Sequence, residues 1–269
     1  MRGVSRESLI RARERVDEAP DATGEDAASG ELFAVLRLLD REGGLRRVLS
    51  DPSLPGERKS DLLRDLLGEQ VGERALAMLD GIVRSRWSKA RDFTDAVEIV
   101  AVDAEVARAQ QAGQLDELED ELFRFGRIVA AEPALRNALV DPALPDERKQ
   151  GLIDSLLADR ATAATVRLVR QLTIHPRGRS FDSGLADYAR LAAERRERLL
   201  AHVRVAVPMS EEQRERLAVA LAETYGHQVQ LNVEVDPTVV GGLLVQVGDE
   251  VIDGTVSRRL EEARRRLAG

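Results

Sequence analysis

Several residue groups in this chain have types and spacings that could do chemistry. Gly241-Gly242 could bring backbone N–H groups against a phosphate. His175, His202 and His227 could ligate a metal. Asp253 with Thr255 could pair an acid with a hydroxyl nucleophile. Two further groups could bind rather than react. One is the pair of runs Glu57-Arg58-Lys59 and Glu147-Arg148-Lys149. The other is the cluster Arg258, Arg259, Arg264, Arg265 and Arg266.

Each group has a plainer reading that fits better. Neither GxGxxG nor GxxxxGK[ST] occurs, so Gly241-Gly242 reads as a bulge or close backbone approach entering a strand. The three histidines lie far apart and lack metal-ligand spacing. His175 precedes Pro176 at a helix end, His202 faces outward on a strand, and His227 sits in a turn. Asp253 and Thr255 suit the cap of a last helix. The two Glu-Arg-Lys runs read as solvated helix starts. The terminal arginines read as a solvated face partly neutralised by Glu261 and Glu262. Trp87, the only tryptophan, reads as core. No catalytic, cofactor-binding or metal-ligating residue is expected.

Composition narrows the classes further. The chain has no cysteine, which excludes disulfides, thiolate metal sites and cysteine nucleophiles. Its net charge of −8 repels phosphate backbones, so nucleic acid is not expected as a partner of the whole molecule. No stretch approaches the run of about 18 apolar residues that spans a bilayer, and the first residues lack a signal-type apolar segment. A cytoplasmic protein without direct membrane insertion is expected. Charged residues reach 33% against 3% aromatic, which favours helices with solvated faces.

The elements that must position these residues begin with a duplication. Residues 51–59 read DPSLPGERK and residues 141–149 read DPALPDERK, an offset of 90. Leu45, Leu49, Leu63, Leu66 and Leu67 match Leu135, Leu139, Ile153, Leu156 and Leu157 at the same offset. Asp-Pro ends one helix, because the residue before proline is pushed out of the α region. Pro55 and Pro145 then open amphipathic helices over 56–67 and 146–158. Each copy is expected to be a helical bundle, residues 1–95 and 96–197. The acidic, Gly-rich stretch 17–30 reads as a flexible loop in the first copy. A helix over about 92–112 is expected to run from one copy into the next.

The pattern changes at 198. Alternation across 200–207 and 228–235 predicts strands on either side of a helix over 211–225. Ser210 and Gln213 have capping-box spacing. Leu243–Val247 and Glu250–Ile252 predict a hairpin around Gly248-Asp249. With a last helix to Leu267, residues 198–269 form a β-α-β-β-β-α domain. The fold class is thus mainly α, two tandem bundles followed by a small α+β domain.

Asp236, the run Val240-Gly241-Gly242-Leu243, Gly248-Asp249, and Val251-Ile252-Asp253-Gly254-Thr255-Val256 together make a specific pattern. It resembles the delta subunit family of F-type ATP synthases, called OSCP in mitochondria. Ala104–Leu122 resembles the first two helices of that family's bundle, and residues 1–95 look like the extra bundle of its longer bacterial members. The resemblance implies a peripheral-stalk, non-catalytic subunit without cofactors. It implies that a bundle grips the N-terminal helices of the α subunits and that the C-terminal domain holds the C-terminal helices of the b subunits. It also implies a peripheral place on the cytoplasmic face of the cell membrane. Asp236, Gly241, Gly242, Gly248, Asp249, Asp253, Gly254, Thr255 and Val256 are then structural motif residues. The alternative is an RNA-binding or other adaptor that uses the C-terminal domain, disfavoured by its acidity and its lack of a GxxG loop or sheet aromatics.

Overall fold

The computed structural model describes residues 1, 3–18, 28–158, 160–196, 199–225, 229–236, 239, 241–247 and 250–253. They form two compact units, 1–195 and 196–269. Among the described residues the first is built of helices joined by turns. Its first copy holds α1 (Val4–Glu18), α2 (Ala28–Arg41), α3 (Gly43–Ser50), α4 (Gly56–Leu67) and α5 (Glu73–Arg84). A long helix, α6 (Ala90–Gln111), follows. Then come α7 (Leu115–Ala131), α8 (Pro133–Val140), α9 (Asp146–Leu157), α10 (Ala163–Ile174) and α11 (Phe181–Arg196).

The offset of 90 carries α3, α4 and α5 onto α8, α9 and α10 at both ends. It carries α1 onto residues 94–108, inside α6. So α6 closes the first copy and opens the second. The two copies overlap there, and one hydrophobic core runs from Ala12 through Val97, Val100 and Ala101 to Ala192. Most of α6 is buried on every side, which explains why it shows no solvated stripe.

Local chemistry also repeats. Asp51 Oδ1 accepts from Ser53 N and Asp141 Oδ1 from Ala143 N, both at 2.8 Å, so each Asp-Pro turn is closed by its own aspartate. Pro55 and Pro145 stand as N-caps with φ −56°, one residue ahead of the helices they open. The start of α5 is held by Glu31 of α2, whose two carboxylate oxygens each accept from Gly72 N at 3.1 Å. Ninety residues on, Glu121 of α7 accepts from Thr162 N at 3.1 and 2.9 Å. It also accepts from the hydroxyls of Thr162 and Thr165 at 2.9 and 2.6 Å.

The stretch 17–30 is not wholly a loop. Asp17 and Glu18 belong to α1, and Ala28, Ser29 and Gly30 to α2. Asp17 is bound by Arg195 and Ser29 by Glu105, so packing holds both ends in helix against their loop-like composition. Residues 19–27 lie outside the described set.

In the second unit β1 (Leu199–Val205), α12 (Glu211–Tyr225), β2 (Val229–Val235), β3 (Leu243–Val247) and β4 (Glu250–Asp253) follow in order. The sheet order is β2-β1-β3-β4. β1 and β2 are parallel, as a helical crossover requires, and the other pairs are antiparallel. Ala201, Val203, Val205, Val229, Val245, Val247 and Leu221 make the core. The expected capping box is present: Ser210 N donates to Gln213 Oε1 at 2.9 Å and Gln213 N to Ser210 Oγ at 3.3 Å. β1 stops at Val205, two residues earlier than the alternation suggested, and Val207 is exposed. The last helix falls outside the described residues.

Glu31→Ala and Glu121→Ala should each cost about 1 kcal/mol, the usual worth of a helix N-cap. Glu121→Ala should cost the more, because its carboxylate serves more donors. Urea unfolding checks both, and equal stability of either variant with the parent chain would refute the capping role.

Candidate functional site

The described motif residues are positioned by backbone geometry. Asp236 follows β2, and its N–H donates to Val205 O at 2.9 Å. Arg204 Nη1 lies 3.8 Å from its carboxylate. Gly241 and Gly242 have φ of +64° and +79°, a conformation that L side chains rarely adopt. Gly248, Asp249, Gly254, Thr255 and Val256 lie outside the described residues, as do His227 and the side chains of His202 and Asp253.

The remaining candidates do not converge on a reaction centre. His175 ends α10, where burial first and Arg37 second lower its pKa. No group of metal-ligating side chains forms among the described residues. Trp87 is buried, with Nε1 donating to Ile82 O at 2.8 Å. The Glu-Arg-Lys runs depart from the expected solvated face. Glu57, Arg58, Glu147 and Arg148 are exposed, but Lys59 and Lys149 are buried. Each lysine falls three residues into its helix, on the turn that faces the core.

Charge is concentrated instead along α6. Its carboxylates Glu98, Asp103 and Glu105 are buried, and each sits in a network that draws on both copies. Arg13 of α1 donates to Asp103 through Nε at 2.5 Å and Nη2 at 3.1 Å. The same guanidinium reaches Glu194 of α11 at 2.9 Å. Burial alone would lower the Arg13 pKa, yet Asp103 and Glu194 hold it above its ordinary value. Glu105 accepts from Ser29 of α2 at 2.6 Å and from Arg167 of α10 at 3.0 and 2.6 Å. Arg108 donates to it from one turn along at 3.1 Å. Burial raises the Glu105 carboxyl above its usual value, with Ser29 and Arg108 opposing.

At the other end Arg177 donates to Glu98 at 2.6 Å, to Thr94 at 2.7 Å and to Asp40 of α2 at 2.8 Å. Its φ of +52° is left-handed, a strained state for a residue with a Cβ, held here by those bonds. Arg179 also pairs with Glu98, and Tyr188 donates to it at 2.9 Å. Burial, then Glu98, push the Tyr188 phenol well above its ordinary pKa, so it remains a donor. Arg37 of α2 to Gln171 of α10, at 3.1 Å, completes the seam.

These ion pairs join the two copies along α6. Residues 103–267 match the family model described as ATP synthase delta (OSCP) subunit. A Streptomyces avermitilis ATP synthase subunit delta is 53% identical over 268 residues, covering 99% of this chain and 98% of its own. The chain belongs to the ATP synthase delta family. Its place is the peripheral stalk of an F-type ATP synthase. The Streptomyces griseus subunit delta is 51% identical with full coverage of both chains, and that of Acidothermus cellulolyticus 47%. These family members therefore match the first copy as well as the second.

The acids of α6 escaped the sequence reading. Their signal was present: Glu98, Asp103 and Glu105 stand in a Gly- and Pro-free helix of valines and alanines, with no polar face for them to join.

Asp103→Ala should cost about 3 kcal/mol in urea unfolding, because it strands part of a buried guanidinium; a cost under about 1 kcal/mol would sink the joint as described. Glu105 should give a pH signature. Its folded pKa is raised, so its contribution is most favourable below the ordinary carboxylate range and declines as pH rises through the folded value. Between pH 4 and pH 7 Glu105→Gln should therefore gain stability relative to the parent chain. A difference that stays flat would refute the shift.

Proposed function

We propose that this chain is the non-catalytic linker that ties the catalytic head of the synthase to the b subunits and resists rotor torque. In this reading a helical bundle takes the N-terminal helices of the α subunits, and the C-terminal domain takes the C-terminal helices of b. The chain works at the cytoplasmic face of the cell membrane, held there through its partners. No described helix is long and apolar enough to cross a membrane, which suits a peripheral place.

The observation that carries the reading is the full-length likeness to delta subunits at about half identity. The continuous core through α6 supports it. A stator must transmit load without internal slip, and two bundles that share a helix cannot slide as separate bodies. Residues 1–95 and 96–197 then act as two halves of one body, with 198–269 as the stalk-binding domain. Asp236, Gly241, Gly242, Gly248, Asp249, Asp253, Gly254, Thr255 and Val256 would shape that domain, leaving contact with b to the surfaces around them. The RNA-binding alternative gains no support from any described residue.

A tagged chain expressed in its own host should recover the α and b subunits from detergent extracts. Recovery of neither would overturn the assignment.

A further inference from the structure

We infer that the second copy carries a pocket beside Lys149 that receives an acidic side chain of a neighbouring polypeptide in the assembled synthase. The inference rests on the stator reading. The pocket has a volume of about 560 Å³ and opens between α8, α9, the end of α10 and the start of α11.

The decisive residue is Lys149, which retains 7% of its surface exposure. Among the described residues its ammonium has no hydrogen bond and no ion pair, yet it lines the pocket. The repeat supplies the comparison within the same chain. Lys59, ninety residues earlier, is 2% exposed and donates to Ser85 O at 3.4 Å. One copy satisfies its buried lysine internally and the other leaves it facing a cavity. An ammonium held at a cavity between apolar walls attracts a carboxylate more strongly than one in open water.

The surroundings select the ligand. Asp182 is already paired with Arg136, and Asp146 lies exposed at the rim, so neither covers the ammonium. Arg179 also lines the pocket, and its Nε is buried without an acceptor. Val140, Ile174 and Phe181 give apolar walls, with Val140 half exposed. A hydrated free ion gains nothing from those walls. A carboxylate flanked by an apolar residue on a polypeptide uses both features.

The test uses the full chain and synthase particles stripped of this subunit. Lys149→Met should bind the particles about 30-fold or more weakly, the usual consequence of removing one partner of a buried charge pair. Its own thermal midpoint should hold or rise, whereas Lys59→Met, which breaks a bond already made, should melt earlier. Val140→Asp, at an exposed position, should supply an internal carboxylate and likewise weaken binding. Parental affinity in both Lys149→Met and Val140→Asp would overturn the inference. Inorganic phosphate binding that is lost in Lys149→Met, with particle affinity unchanged, would make this a free-anion site and also overturn it. Failure of the parent chain to rejoin stripped particles would count instead against the stator reading.

Discussion

Burial of three carboxylates on one helix is the constraint on which the helical unit depends. Glu98, Asp103 and Glu105 could not lie inside α6 unless cations reached them there. The cations and hydroxyls come from both sides: Arg13 and Ser29 from the first copy, Arg167, Arg177 and Arg179 from the second. Each copy therefore completes the electrostatics of a helix that the other also needs. Apolar packing supplies most of the cohesion, but the pairs fix how the copies are oriented, because a guanidinium fork accepts few geometries.

Duplication kept the bounds of three helices and rewrote the chemistry at the seams. In the first copy the opening helix meets the last turn through its hydroxyls. Ser5 Oγ donates to Asp92 at 2.7 Å and Ser8 Oγ to Arg86 O at 2.8 Å. At the matching positions the second copy has Asp95 and Glu98, and arginines answer them. Trp87 plugs the first copy where Arg177 clamps the second. The second seam also joins α2 of the first copy, so its stronger bonds lie where two bundles, not one, must be held.

Much of this was legible in the residues. The helices opened by Pro55 and Pro145, the Asp-Pro turns, the capping box at Ser210 and the alternating strands follow from local rules, and local rules decided them. The double role of α6 was only half legible. Its continuity showed, since nothing in it breaks a helix, but burial on nearly every side erased the period that tells one face from another. Lys59 and Lys149 misled for a related reason. Sequence places a lysine in water by default, and only the packed helix shows that this turn faces inward. The bounds of the 17–30 stretch failed because long-range bonds from Arg195 and Glu105 outweigh local composition.

The shared helix has a consequence for how such a chain can change. One residue inserted near the middle of α6 would turn everything beyond it by about 100° and advance it by about 1.5 Å. The Arg13–Asp103 and Arg167–Glu105 pairs could not then both survive. Loops that carry no such pair can lengthen more freely. The span between the copies is locked to a fixed count of residues, like the teeth of a gear, and drift in length must occur elsewhere.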